Sequence, residues 1–263
     1  MSAFAVIYNK KPSIRKPAEE IISQLKKNGF HIVSPRSKDA LFTLALGGDG
    51  TVLRAVSDPA YRHLPIISVK LGRIGFLAEL SPKNIVEGVE KALKGAYTID
   101  SRRLLHAAIY RHGRKVAEGQ ALNDVVIHSA RLARIVHVDT FVNNKRTATY
   151  RADGVIISSA TGSTAYNLSA GGPILDPRRK EIIVTPICPH VLKWKSQLIA
   201  PGKEVKLVSD FKKGQSMVIT FDGQKHFNVR SRDEIIISLS TDKVDFIRFK
   251  PYNFRKVLKE KLS

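Results

Sequence analysis

The apolar run Leu41-Phe42-Thr43-Leu44-Ala45-Leu46 ends abruptly in Gly47-Gly48-Asp49-Gly50-Thr51, and the next residues, Val52 to Val56, open a helical pattern. Six residues this apolar read as a strand buried on both faces, which places the strand in a parallel sheet covered by helices. The flanking segments agree. Phe4 to Tyr8 reads as a strand, and Ile14, Ala18, Ile21, Ile22 and Leu25 recur at helical spacing before a stop at Gly29. Ile66 to Val69 reads as a third strand, and Ile85, Val86, Val89, Ala92 and Leu93 mark a helix ending near Gly95. The first hundred residues therefore predict an α/β, Rossmann-like domain of βαβ units.

From about residue 100 the pattern changes to strands separated by turn signals. His106 to Tyr110, Asp124 to His128, Ile135 to Val142, Gly154 to Ser158, Glu181 to Thr185, Val205 to Ser209, Met217 to Phe221 and Glu234 to Leu239 read as strands, with no long helical pattern between them. His112-Gly113, Asn143-Asn144 and Asp222-Gly223 fall where hairpins need residues that tolerate positive φ. The expected organisation is an α/β domain over 1–100 and a β-rich, sandwich-like domain over 101–244. The closing segment, about 245–263, carries Phe254, Val257, Leu258 and Leu262 at helical spacing and is expected to pack back on the first domain.

Two bulk properties narrow the function. The 263 residues include 44 Lys and Arg against 23 Asp and Glu, a formal net charge of +21 that favours anionic partners, among which nucleotides and polyphosphates are preferred here to a nucleic-acid groove. The basic residues are scattered in short clusters, and no long basic arm appears. Cys188 is the only cysteine, which excludes an intrachain disulfide scaffold. With no signal-peptide pattern and no apolar stretch near the roughly 20 residues that span a bilayer, a cytoplasmic protein without membrane contact is expected.

The chemistry concentrates in two places. Glycines at a strand-to-helix turn let a phosphate approach backbone N–H groups at the positive end of the helix. An acid there repels phosphate unless a divalent cation lies between them or the acid accepts a proton from an attacking hydroxyl, so Asp49 points to phosphoryl transfer. The alternative is a simple helix cap. The second cluster is Asp153-Gly154-Val155-Ile156-Ile157 followed by Ser158-Ser159-Ala160-Thr161-Gly162-Ser163-Thr164-Ala165-Tyr166-Asn167-Leu168-Ser169-Ala170-Gly171-Gly172-Pro173. Its hydroxyls and N–H groups suit ribose or phosphate oxygens and Tyr166 suits a base ring, against the alternative of an ordinary capped helix start.

Between these clusters lie Leu71-Gly72-Arg73-Ile74-Gly75-Phe76-Leu77 and Leu122-Asn123-Asp124-Val125. The chain resembles the NAD kinase family, which carries a GGDGT signature, a GxxGFL segment, an Asn followed by an acid, and a DGxI…TGSTAYxxSAGGP block, all present here in that order. One departure is Lys70, where many members have Asn. The resemblance implies an NAD kinase-like fold and transfer of the terminal phosphoryl group of ATP, or of inorganic polyphosphate, to the adenosine 2′-hydroxyl of NAD. It implies Asp49 as the proton acceptor, sharing a divalent cation, most simply Mg2+, with the phosphates; the metal ligands stay unassigned. Gly47, Gly48, Asp49, Gly50 and Thr51 would form the phosphate-donor loop. Asp49, Gly50, Arg54, Asn123, Asp124, Arg134, Arg151, Asp153, Thr164, Ala165, Tyr166, Asn167, Leu168, Ser169 and Gln224 would line the NAD site. A homodimer or homotetramer is also implied.

Other readings are weaker. Lipid kinases of the diacylglycerol and sphingosine types share the GGDGT segment but lack the TGSTAY block, and a nucleic-acid-binding protein would explain the charge without explaining Asp49. Cys188-Pro189-His190 lacks a third ligand or an orienting acid, so it is expected to be neither a metal site nor a nucleophile.

Overall fold

The computed structural model describes residues 3–72, 75–130, 135–191, 194–211 and 216–262. Along the chain run β1 (Ala3–Tyr8), α1 (Pro12–Lys27), β2 (His31–Ile32), β3 (Ala40–Gly47), α2 (Asp49–Ser57), α3 (Pro59–Arg62), β4 (Ile66–Lys70) and α4 (Ile85–Leu93). Then follow β5 (Thr98–Arg111), β6 (Arg114–Ala121), β7 (Asp124–Ser129), β8 (Val136–Val142), β9 (Lys145–Ala152), β10 (Gly154–Ser158) and, after a 3-10 turn at Thr161–Thr164, α5 (Tyr166–Ser169). The chain continues through β11 (Ile182–Ile187), β12 (Gln197–Ile199), β13 (Val205–Val208), β14 (Met217–Phe221), β15 (Lys225–Val229), β16 (Glu234–Arg248) and α6 (Phe254–Leu262). These elements form two compact units, Met1–Arg102 with Val244–Ser263, and Arg103–Lys243.

The first unit is an α/β layer structure. Its parallel strands lie in the order β2-β1-β3-β4, and the end of β16 joins β4 in parallel through Phe246 and Ile66. The continuous apolar runs are strands buried on both faces, as expected for a parallel sheet between helices. Phe4, Leu44, Leu46 and Ile67 pack with Ile21 and Leu25 of α1 and Ile85 and Val89 of α4 in one core, where Phe4 and Phe42 stack with ring centroids 5.0 Å apart. The two-residue β2 has no apolar run to announce it; it forms because β1 offers it a parallel edge.

The second unit is a sandwich of antiparallel sheets. One sheet has the order β12-β11-β10-β7-β14-β15; facing it are β8, β9, β13, the first part of β16, and the β5–β6 hairpin. Side chains from both layers, among them Leu105, Ile127, Val138, Tyr150, Ile157, Val184, Ile219 and Ile237, share one core. The three hairpin signals form their turns. His112, Asn143, Asn144 and Asp222 all take positive φ, and β5–β6, β8–β9 and β14–β15 pair across them. Strands β6, β12 and β15 each bury a single side chain, too few for an apolar pattern. Each is recruited by its partner's free backbone groups, which is information from tertiary contact alone.

Candidate functional site

In the first unit the glycine-rich turn leaves the end of β3 and Asp49 opens α2. Gly47 pairs in register with Lys70 at the end of β4, and the Leu71 N–H donates to the Gly47 carbonyl at 3.2 Å. The Asp49 carboxylate is held by two backbone donors 27 and 28 residues further on, Phe76 N–H at 2.9 Å and Leu77 N–H at 3.3 Å. That contact explains Gly75: a Cβ there would lie 1.9 Å from Asp49 Oδ1 and 2.3 Å from its Cγ. Burial raises the Asp49 pKa, and the two N–H bonds oppose this without cancelling it. Asp49 is thus a better proton acceptor than an ordinary carboxylate, fixed at the N-terminus of a helix.

The segment that grips Asp49 is itself anchored. Ser68 Oγ donates to the Leu77 carbonyl, Glu79 and Leu80 N–H both donate to the Ser68 carbonyl, and Lys70 N–H donates to Leu80. Arg248, 2% exposed, donates from Nη1 to the Leu77 carbonyl at 3.3 Å and to Glu79 at 3.0 Å, and from Nε to Asp100 at 3.1 Å. Asp100 also pairs with the buried Arg102, and the ring of Tyr252 lies against both guanidinium groups, 4.8 Å from Arg102 and 4.9 Å from Arg248. Burial acts to raise the Asp100 pKa, but hydrogen bonds and charge from Arg102 and Arg248 prevail and lower it. Near Asp49, Lys261 of α6 is coupled to the carboxylate, and its own pKa is lowered by burial. Arg54 lies on the exposed face of α2.

The second unit carries the other cluster. Asn123 and Asp124 sit at the start of β7, where Asp124 is 6% exposed. Asp222, in the β14–β15 turn, accepts from three consecutive backbone donors: Leu122 N–H at 2.7 Å, Asn123 N–H at 2.7 Å and Asp124 N–H at 3.0 Å. On the other side, Ser159 N–H donates to the Asn123 carbonyl at 2.8 Å and Ser159 Oγ to the Leu122 carbonyl at 2.5 Å. Burial, and then the charge of Asp222, push the Asp124 carboxyl up to about 7. Burial pushes Asp222 to about 6 against the pull of its three N–H partners.

The hydroxyl-rich loop differs from the sequence expectation in one respect. Its serines are largely spent inside the fold: Ser158 and Ser159 bond to the Leu122–Asn123 backbone, and Ser163 both donates to and accepts from Leu175. Asn167, fully buried, donates to the Ser163 and Pro173 carbonyls and accepts from Thr185 Oγ1, so its amide holds the loop closed. Tyr166, 47% exposed, stands outward at the start of α5 with Ser169, while Thr164, Ala165 and Leu168 are half-buried. Arg151 and Asp153 are exposed at the β9–β10 junction, and Gln224 is exposed in the β14–β15 turn. Arg134 lies outside the described residues. Among the described residues no group of three or more His, Cys, Asp and Glu side chains could hold a metal, and Cys188 is free and exposed.

Sequence reasoning missed Asp222 and Arg248, and it read Ser159 as a hydroxyl offered to a ligand, whereas that hydroxyl donates to the Leu122 carbonyl. Asp222 had a sufficient local reason in its turn, and its partners lie 98 to 100 residues away, where no local pattern points.

Comparison with known proteins decides the lineage. Residues 34–97 match the model of the ATP-NAD kinase N-terminal domain and residues 122–249 that of the ATP-NAD kinase C-terminal domain. An NAD kinase of Carboxydothermus hydrogenoformans is 42% identical over 219 residues, 83% of this chain and 78% of that one. The chain belongs to the NAD kinase family. A Thermoanaerobacter NAD kinase is 40% identical over 242 residues, 90% of this chain and 85% of that one. Among solved structures, an Archaeoglobus fulgidus NAD kinase in complex with ATP superimposes with a TM-score of 0.76 at 26% identity, covering 98% of each chain. Yeast NADH kinase shares the fold with a TM-score of 0.84 at 21% identity, covering 100% of this chain and 88% of that one. This NAD kinase is therefore an α/β unit and a β-rich unit of the family fold, and among its described residues no helix is long and apolar enough to cross a membrane.

Proposed function

We propose that this NAD kinase transfers the terminal phosphoryl group of ATP, or of inorganic polyphosphate, to the adenosine 2′-hydroxyl of NAD, giving NADP. The observation that carries the reading is the Asp49 carboxylate: half-buried, raised in pKa, and held by the Phe76 and Leu77 N–H groups at the glycine turn. A ribose hydroxyl is a weak nucleophile, and a fixed carboxylate of raised basicity takes its proton as the bond to phosphorus forms. Backbone N–H groups of the glycine turn at the N-terminus of α2, other than that of Thr51, which donates to the Gly48 carbonyl at 2.9 Å, would receive donor phosphates, and Arg54 and Lys70 add positive charge. ATP as donor is supported by the ATP complex of the Archaeoglobus relative.

Asn123 and Asp124 would bind the dinucleotide, Asp124 in its ionised form accepting hydrogen bonds from vicinal ribose hydroxyls. Arg151 and Arg134 would meet the diphosphate, and Tyr166 offers its exposed ring to a base, with Asp153, Thr164, Ala165, Leu168, Ser169 and Gln224 around it. Asn167 would serve the same site by closing the loop. Magnesium fits the donor set, because this hard cation is commonly held by one or two carboxylates together with substrate phosphates and water. Asp49 and the donor phosphates would hold it, and it would neutralise charge on the phosphoryl oxygens.

The test is to incubate the purified enzyme with NAD, magnesium and either ATP or polyphosphate, and to follow NADP with a dehydrogenase specific for it. NADP should form, and a folded Asp49→Asn variant that still binds NAD should make none. Near-normal turnover by that variant removes Asp49 from the chemical step. A folded, NAD-binding wild type that makes no NADP rejects the acceptor assignment.

A further inference from the structure

We infer that Asp222 is a positioning residue for the dinucleotide, its carboxylate holding the Leu122–Asp124 backbone so that the Asn123 and Asp124 side chains are presented to NAD. The inference rests on the reading of Asn123 and Asp124 as NAD ligands and adds what fixes them. Three consecutive N–H groups converge on one buried carboxylate, Oδ2 taking Leu122 and Oδ1 taking Asn123 and Asp124. The return contacts complete the grip. Asp222 N–H donates to the Asp124 carbonyl at 3.0 Å, while Ser159 takes the Leu122 and Asn123 carbonyls from the other side. Gly162 lies so close that a Cβ there would be 2.1 Å from the Asn123 carbonyl oxygen. The main chain of these residues is thus fixed, and among the described residues the Asp124 carboxylate receives no hydrogen bond of its own. Its oxygens are not among the sealed, unpartnered polar atoms of the fold, so this largely buried carboxylate keeps an opening through which a ligand can reach it.

The turn geometry alone does not account for Asp222. Its left-handed φ of 51° suits Asn or Gly equally well, and neither would offer two anionic oxygens to three donors. The carboxylate has a second effect on the site. Its charge lies against Asp124 and holds the latter's proton on to higher pH; Tyr166 also faces Asp124 and in turn feels Cys188 and Asp153. Removing the Asp222 charge therefore does two separable things: it loosens the backbone grip and it makes Asp124 easier to ionise.

The experiment is calorimetric titration of NAD into wild type, Asp222→Asn and Asp124→Asn from pH 6 to 9. Wild-type affinity should rise with pH through about 7 as Asp124 ionises. Asp124→Asn should bind weakly with a flat profile; wild-type affinity and profile in this variant would reject the ligand reading itself. Asp222→Asn should bind roughly tenfold more weakly at pH 9, where Asp124 is ionised in both proteins, because one or two N–H groups lose their acceptor. Its inflection should at the same time move to lower pH. A loss of affinity with an unmoved inflection would mark Asp222 as merely structural, and unchanged binding would also overturn the inference. If Asp222→Asn does not fold, Ser159→Ala is the second probe. It removes the grip on the Leu122 carbonyl without removing charge, so binding should weaken about threefold with the inflection unmoved; wild-type binding in Ser159→Ala would show that this backbone does not set affinity.

Discussion

The buried pair Asp124 and Asp222 makes the second unit more stable on the acid side of neutrality, the reverse of a typical salt-bridged carboxylate. Asp124 titrates at about 7 in the folded protein against an ordinary value of 3.8, so between those values the folded state holds a proton that the unfolded chain has released. A raised carboxylate pKa contributes stability that is complete below about pH 4 and is lost as pH rises through 7. At one unit of pKa per 1.36 kcal/mol, moving from pH 5 to pH 8 costs the fold about 2–3 kcal/mol through Asp124 alone. Asp124→Asn removes that titration while keeping the side chain's size. The variant's stability relative to wild type should therefore improve by about 2–3 kcal/mol on going from pH 5 to pH 8, a shift of roughly 1 M or more in the urea midpoint. Trp194 reports on the right unit: it is the chain's only tryptophan, and it packs against the second unit's core with its ring 5.9 Å from that of Tyr150. Urea unfolding followed by tryptophan fluorescence at the two pH values is the assay. Histidines and surface acids contribute equally to both proteins and cancel in the difference. Parallel pH dependence in wild type and Asp124→Asn would refute the argument, because Asp124 would then ionise as freely folded as unfolded.

Three further outcomes follow from the packing. Gly75→Ala puts a methyl group against the Asp49 carboxylate, so turnover should fall about 100-fold while thermal unfolding changes little; wild-type kcat would show that the Phe76 and Leu77 N–H bonds do not set catalysis. Arg248→Met strips Glu79 and Asp100 of a buried partner and should cost about 3–5 kcal/mol, measured by urea unfolding of the purified protein; a cost below about 1 kcal/mol would mean that the acids find other partners. Gly162→Ala presses on the Asn123 carbonyl and should raise the KM for NAD roughly tenfold or more without a comparable loss of kcat, a split that steady-state kinetics reads directly.

The two functional clusters use one device in opposite senses. In the first unit, backbone N–H groups of Phe76 and Leu77 fix a carboxylate that carries the proposed chemistry. In the second, the carboxylate of Asp222 fixes a backbone whose neighbouring side chains are the proposed dinucleotide ligands. In both, charge-assisted bonds inside a poorly solvated site supply more rigidity than a neutral contact would.

What the sequence determined by itself is what local physics can write. Leu41 to Leu46 is a strand because five apolar residues around Thr43 need cover, which all but Leu41 receive, and the Ile14-to-Leu25 spacing is a helix because it gathers one buried stripe. Asn143-Asn144 and His112-Gly113 turn because those residues accept positive φ. The order of four short motifs is also a property of the sequence alone, and it carries the family resemblance. Tertiary structure alone decided the rest. Strand β6 buries a single side chain and is held by the pairing of its backbone with β5, while β9 turns only Ala148, Tyr150 and Ala152 inward, two of them small, and is placed by its pairing with β8. Ser159 and Asn167 look like ligand-binding residues in sequence but spend their polar atoms inside the fold, whereas Asp222 looks like a turn residue and grips a strand 98 residues away. Hydrogen bonds act over about 3 Å of space and are indifferent to distance along the chain, so which polar group meets which is settled only when the chain has folded.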